Sequence, residues 1–178
     1  MGEIVTNRRT FLLSGSVLLG SAALGRVVEA FAAGGTRTAT FFTESEMTTL
    51  RALVDVVLPA TDSPAASAAD THYFIDLAIP ACASEAAQKT FRSALREFGS
   101  QHFATAKPAT QIALLKERAA ADQQPEYDQS FFKILKDYTL TGYFLSEVGA
   151  TQALAYERVP GGFWGDLPLA PNQKAWAT

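Results

Sequence analysis

Apolar positions recur along this chain at three- and four-residue intervals, and almost nowhere at two. Thr43 with Glu46 three residues on forms a capping box, and behind it Met47, Leu50, Val54 and Val57 fall on one stripe that Leu53 broadens. The spacing predicts a first helix over about 44–57. It ends at Leu58, because the residue before Pro59 is driven out of helical backbone. PATDSPAASAAD (59–70) reads as a turn-rich loop, after which Asp70 or Thr71 caps a second helix carrying Tyr73, Phe74, Leu77 and Ala78 and closing near Pro80. Ser84 opens a third, with Ala87, Phe91, Ala94, Leu95 and Phe98 inward and Lys89, Arg92, Arg96 and Glu97 outward. Pro108 suits the first position of a fourth, whose inner face is Ile112, Leu115 and Ala119, with Lys116, Glu117 and Arg118 solvated.

The fifth and longest segment is predicted from Pro125 to about Ser146, with Tyr127, Phe131, Ile134, Leu135, Tyr138 and Leu145 on its stripe. Phe132, Tyr143 and Phe144 widen that stripe until it suits either a central helix or one docked on another protein. A short helix over Ala150–Tyr156 follows. The remainder, ERVPGGFWGDLPLAPNQKAWAT, has no period; it carries three Pro, three Gly, Phe163, Trp164 and Trp176, which suits wrapping onto a surface. The expected class is all-α. An irregular bundle of about five to six helices over 44–156 follows a mobile or extended lead-in (33–43) and precedes an aromatic, Pro- and Gly-rich tail (157–178).

Upstream of the bundle the pattern changes. Arg8 and Arg9 are followed by Phe11, Leu12 and an uncharged, moderately apolar run to Leu24, and after Arg26 by the small-x-small triplet Ala30-Phe31-Ala32. A charged start, a short apolar middle and a small-residue exit are the parts of a secretory leader. The arginine pair before Phe-Leu resembles a twin-arginine signal. Residues 1–32 are therefore expected to direct export and to be cut after Ala32. The apolar run is shorter than the roughly 20 residues that span a bilayer, so no membrane span is expected in the mature chain; retention of the run as an anchor is the alternative.

Composition narrows the chemistry. At 178 residues there is room for one ordinary domain, and 48% hydrophobic with 19% charged residues is globular material. The net charge of -3, which becomes -4 once residues 1–32 take three Arg and two Glu with them, leaves no basic footprint for nucleic acid. One cysteine excludes an internal disulfide, a four-thiolate metal site and a C-x-x-C-H haem attachment. The glycines never take the G-x-G-x-x-G spacing, and no P-loop, H-E-x-x-H or G-x-S-x-G sequence occurs. No cofactor is expected in this chain.

His72 with Asp76 four residues on has the spacing of a base and its orienter, although a surface imidazole beside acidic neighbours is the favoured reading. His102 is expected near the end of the third helix, where a cation complements the dipole. Asp62, Asp70 and Asp76 lack calcium-loop spacing. Cys82 is expected to be a buried small hydrophobe, with an intermolecular disulfide as the alternative. A twin-arginine leader moves folded proteins, commonly because a cofactor is installed before export. Such a leader on a chain without a cofactor motif suggests either an unrecognised cofactor or a folded partner that has one.

The leader with Arg8-Arg9, FFTESEMTTLRALVDVVLPATDSPAA (41–66), FFKILKDYTLTGYFLSEVG (131–149) and YERVPGGFWGD (156–166) together resemble the gluconate 2-dehydrogenase subunit 3 family. The resemblance implies a non-catalytic small subunit of a periplasmic sugar, glycoside or sugar-acid dehydrogenase. In such complexes a large subunit of the glucose–methanol–choline oxidoreductase type holds FAD, and a multi-haem cytochrome c subunit often takes the electrons. The small subunit alone carries the leader and is needed for the flavoprotein to mature and be exported. One departure is Ser63-Pro64-Ala65-Ala66, where the family pattern has Thr-Pro-Gly-Ala; losing the glycine disfavours a positive φ in that turn. The expected partner interface is Tyr143, Ser146, Glu147, Tyr156, Phe163 and Trp164, with Tyr143 and Tyr156 as internal core residues the alternative for those two. The competing expectation is an independent periplasmic enzyme or binding domain built on His72 and Asp76.

Overall fold

The computed structural model describes residues 22–32, 37–122, 130–157, 159, 161–162, 168, 170–171 and 173–177. Its α-helices are α1 (Ala22–Ala32), α2 (Glu44–Val57), α3 (Thr71–Cys82), α4 (Glu85–Ser100), α5 (Pro108–Ala121) and α6 (Phe131–Leu145). Single 3-10 turns at Ala66–Ala69 and Phe103–Thr105 and a π turn at Gly149–Ala153 complete the regular structure. The class is all-α, an irregular bundle, as expected. Among the described residues the nearest thing to a sheet is one isolated parallel bridge between Ala155 and Trp176.

Local signals set most boundaries. On α2 the capping box closes both ways: Glu46 N–H donates to Thr43 Oγ1 at 3.3 Å, and Thr43 N–H donates to Glu46 Oε2 at 2.9 Å. Leu58, held at φ -129° before Pro59, ends the helix. Ser84 Oγ caps α4 by accepting from Ala87 N–H, and Pro108 takes the first position of α5. Ala65 keeps an ordinary φ of -64°, so its turn needs no glycine. The described positive-φ residues other than glycine are Asp70 and His102, an aspartate and a histidine, types that visit the left-handed region more readily than most.

Two boundaries depart from the pattern. α3 runs through Pro80 to Cys82; proline deletes only its own N–H bond, and Ala83 N–H still reaches Ile79 O at 3.1 Å. α6 begins at Phe131 and not at Pro125, which lies outside the described residues. Its start is fixed by Ser130, whose Oγ accepts from Lys133 N–H, and by Asp122 at the end of α5. The Asp122 carboxylate accepts from Ser130 Oγ at 3.1 Å and from Phe132 N–H at 2.8 Å.

The core lies where α3 and α6 cross, with α2 and α4 packed alongside. Leu50, Leu53, Phe74, Ile75, Ile79, Phe91, Leu95, Ile134 and Leu135 are fully buried. Aromatic rings run through it, from Phe42 against Phe91 (5.8 Å) to Phe131 (5.1 Å), Phe98 (5.7 Å) and Phe103 (5.1 Å). The inward face of α3 is Phe74, Ile75, Ala78 and Ile79, with Tyr73 and Leu77 half-buried, one position off the predicted stripe. α3 is also packed against α1.

Candidate partner interface

The polar groups nearest the core are committed to holding segments together. Asp76, 1% exposed, accepts from Thr40 N–H (2.6 Å) and Thr40 Oγ1 (2.8 Å) on one oxygen, and from Phe41 N–H (3.0 Å) and Phe42 N–H (2.7 Å) on the other. Residues 40–42 are thus tied down, and the lead-in there is anchored, not mobile. Glu46 is the second knot: it meets Arg96 Nε at 3.0 Å and Arg92 Nε at 3.6 Å, while Arg92 also donates to Phe41 O and stacks over the Phe41 ring at 4.2 Å. Arg92, expected to point outward, is half-buried for that reason. Burial pulls the Glu46 carboxyl up, but the Thr43 N–H, Arg96 and Arg92 outweigh it and hold its pKa below the ordinary 4.5.

His72 is buried at 6% exposure, which corrects its expected place on the surface. Its Nδ1 has no hydrogen-bond partner among the described residues, and Asp76 spends its oxygens on the lead-in. The base-and-orienter pair is therefore not formed. Burial lowers the His72 pKa from 6.5, with Asp70 pulling the other way, so the neutral imidazole is the favoured form in the fold. His102 is exposed at the turn after α4. Cys82 is half-buried and packs against the core.

Of the six expected interface residues, two face inward. Tyr143 is 2% exposed and its hydroxyl donates to Pro64 O at 2.9 Å, pinning the 59–65 loop onto α6. Ser146 is buried where α6 ends, donating to Tyr143 O at 2.6 Å and accepting from Gly149 N–H at 3.0 Å. Both hold the chain's own fold. Glu147 is exposed, Tyr156 is 57% exposed, and Phe163 and Trp164 lie outside the described residues, as do Arg8, Arg9, Phe11 and Leu12. Ala30 is exposed on α1, and Ala32 is its last residue.

The structure adds two apolar surfaces. At the C-terminal end Phe144, Leu145, Tyr156, Val159 and Trp176 are all exposed. There the tail folds back through Ala155 N–H to Ala175 O (2.8 Å), Ala177 N–H to Ala155 O (2.9 Å) and Lys174 Nζ to Gln152 O (2.6 Å). The second is a groove of about 390 Å³ between α2, α5 and α6, floored by Val57, Ile112, Leu115, Phe132 and Leu140 and edged by Lys116 and Lys136. Ile112, expected inside, is 44% exposed there, while Leu115 is buried. Helical periodicity puts both on one inner face and so does not reveal the groove.

Among the described residues no group of three or more His, Cys, Asp and Glu stands together as a metal site, and no helix is long and apolar enough to cross a membrane. Comparison with known proteins found no matching curated protein and no matching solved structure. The model of one family does match, over residues 44–161, from the first residue of α2 to Gly161. The chain belongs to the gluconate 2-dehydrogenase subunit 3 family, subunits of an oxidoreductase complex.

Proposed function

We propose that this chain is the non-catalytic small subunit of a periplasmic FAD-dependent dehydrogenase acting on a sugar, glycoside or sugar acid, and that it escorts the folded flavoprotein through the twin-arginine route. The observation that carries the proposal is the family match, which spans α2 to α6. The leader-like start with Arg8 and Arg9 supports the export role. FAD sits in the large partner of the glucose–methanol–choline type, and haem c in a cytochrome subunit where one is present. The choice of substrate resides in the partner's active site.

Docking uses the C-terminal part of the chain, with Tyr156 and Trp176 as anchors, and the exposed Phe144, Leu145 and Glu147 and the tail residues Phe163 and Trp164 as further contacts. Large aromatics that stay in water on a lone chain are what a permanent interface covers. The reading of an independent enzyme loses its ground, because Asp76 is taken up by Thr40, Phe41 and Phe42.

The test is export. Replacing Arg8 and Arg9 by Lys in a strain that makes both subunits should leave the flavoprotein in the cytoplasm and remove periplasmic dehydrogenase activity. Normal periplasmic activity in that strain would overturn the escort role.

A further inference from the structure

Helix α1 comprises the last three turns of the predicted leader, yet it is packed as part of the domain. Val27 and Phe31 are 6% and 5% exposed and belong to the same buried cluster as Phe74 and Ile75. The Phe31 ring meets Phe74 of α3 edge to face at 5.4 Å. Arg37 closes the arrangement from the other side of the expected cut. Its guanidinium lies 4.2 Å from the Phe31 ring centroid, its Nη2 donates to Phe31 O at 2.8 Å, and its Nε pairs with Asp70 Oδ2 at 3.2 Å. Phe31 O is one of the carbonyls that the end of a helix leaves without a partner, and a cation there also complements the dipole. Arg37 thus grips the leader with two contacts and the domain with a third.

A peptidase takes its substrate as extended chain, whereas Ala30-Phe31-Ala32 is the last turn of a docked helix. Cutting after Ala32 therefore requires α1 to leave α3 and unwind. We propose that the folded subunit shields its own leader-cleavage bond, the contacts of Val27, Phe31 and Arg37 on α3 and Asp70 acting as a latch whose opening sets the rate of processing. The inference rests on the reading of residues 1–32 as a cleavable leader.

The full-length chain, its Arg37→Ala variant and its Val27→Asn variant would be incubated with purified signal peptidase, beside a peptide of residues 1–40 as an unfolded reference. Val27→Asn changes only a residue that processing removes, so it leaves the product domain untouched. Where opening precedes cutting, the rate follows the open population. The wild-type chain should be cut at least about tenfold more slowly than the peptide, and both variants should recover most of that difference. Trypsin gives a second reading: cutting after Arg26, which is exposed on α1, should be slow in the wild type and about tenfold faster in Arg37→Ala. Equal rates for wild type, variants and peptide would overturn the latch while leaving the leader intact. A peptidase that spares even the peptide would overturn the leader reading, and the proposal with it.

Discussion

Asp76 shows how one side chain decides where a segment lies. A carboxylate at 1% exposure with four donors at 2.6–3.0 Å is an anchor, because each donor would otherwise be a polar group near the core without a partner. Asp76→Ala should cost about 3 kcal/mol or more and release residues 40–42, seen as a lower denaturant midpoint and faster amide exchange at Phe41 and Phe42. His72 and Glu46 give the fold a pH dependence of one sign. A lowered histidine pKa means that the unfolded chain takes up the proton first, so stability is complete above about 6.5 and falls as pH drops below it. Glu46, held below 4.5, adds a further loss on acidification below that value. Thermal unfolding should therefore show a melting temperature falling from pH 7 towards pH 5, and His72→Gln should flatten that part of the curve. An unchanged slope in the variant would remove His72 from the account.

At the scale of elements, the close crossing of α3 and α6 depends on Gly142. A Cβ built there would lie 2.5 Å from Phe74 Cδ1 and 2.9 Å from Cγ. Gly142→Ala should destabilise the bundle by about 1–3 kcal/mol, because Phe74 is fully buried and has no room to yield. Chemical denaturation of the variant measures this. The same scale shows what periodicity could and could not deliver. α2 and α4 were legible to the residue because their caps are side chains in the sequence, Thr43 with Glu46 and Ser84. The start of α6 was not, because Asp122 closes it through contacts with Ser130 and Phe132, eight and ten positions further along the chain. The register of α3 slipped because its buried face carries His72 and Asp76, polar residues that a hydrophobic stripe omits. Tyr143 was legible as either interfacial or internal, and the structure makes it internal; Ser146 was legible only as an interface position. Their partners, Pro64 and the end of α6 itself, are supplied by tertiary packing in one case and by a local cap in the other.

For the molecule as a whole, the family was legible from blocks whose order survives in the match over 44–161, whereas the groove beside Ile112 and the docking of α1 emerge only in three dimensions. A buried core around α3 and α6, apolar side chains left exposed towards the C-terminus, and a helix α1 held by Arg37 are the features on which the proposed role rests. Replacing both Tyr156 and Trp176 by Ser should weaken capture of the partner at least tenfold while leaving the circular dichroism and the melting temperature of the chain unchanged, since both side chains are more than half exposed. The most direct measurement is purification of the tagged full chain from cells that also make the flavoprotein proposed as its partner, followed by absorption spectra of the separated subunits. The account predicts an equimolar complex whose flavin absorbance stays with the large subunit, with this chain colourless and inactive once parted from it. A flavin or a turnover that follows this chain alone, or a chain that emerges single and monodisperse with the flavoprotein left behind, would contradict it.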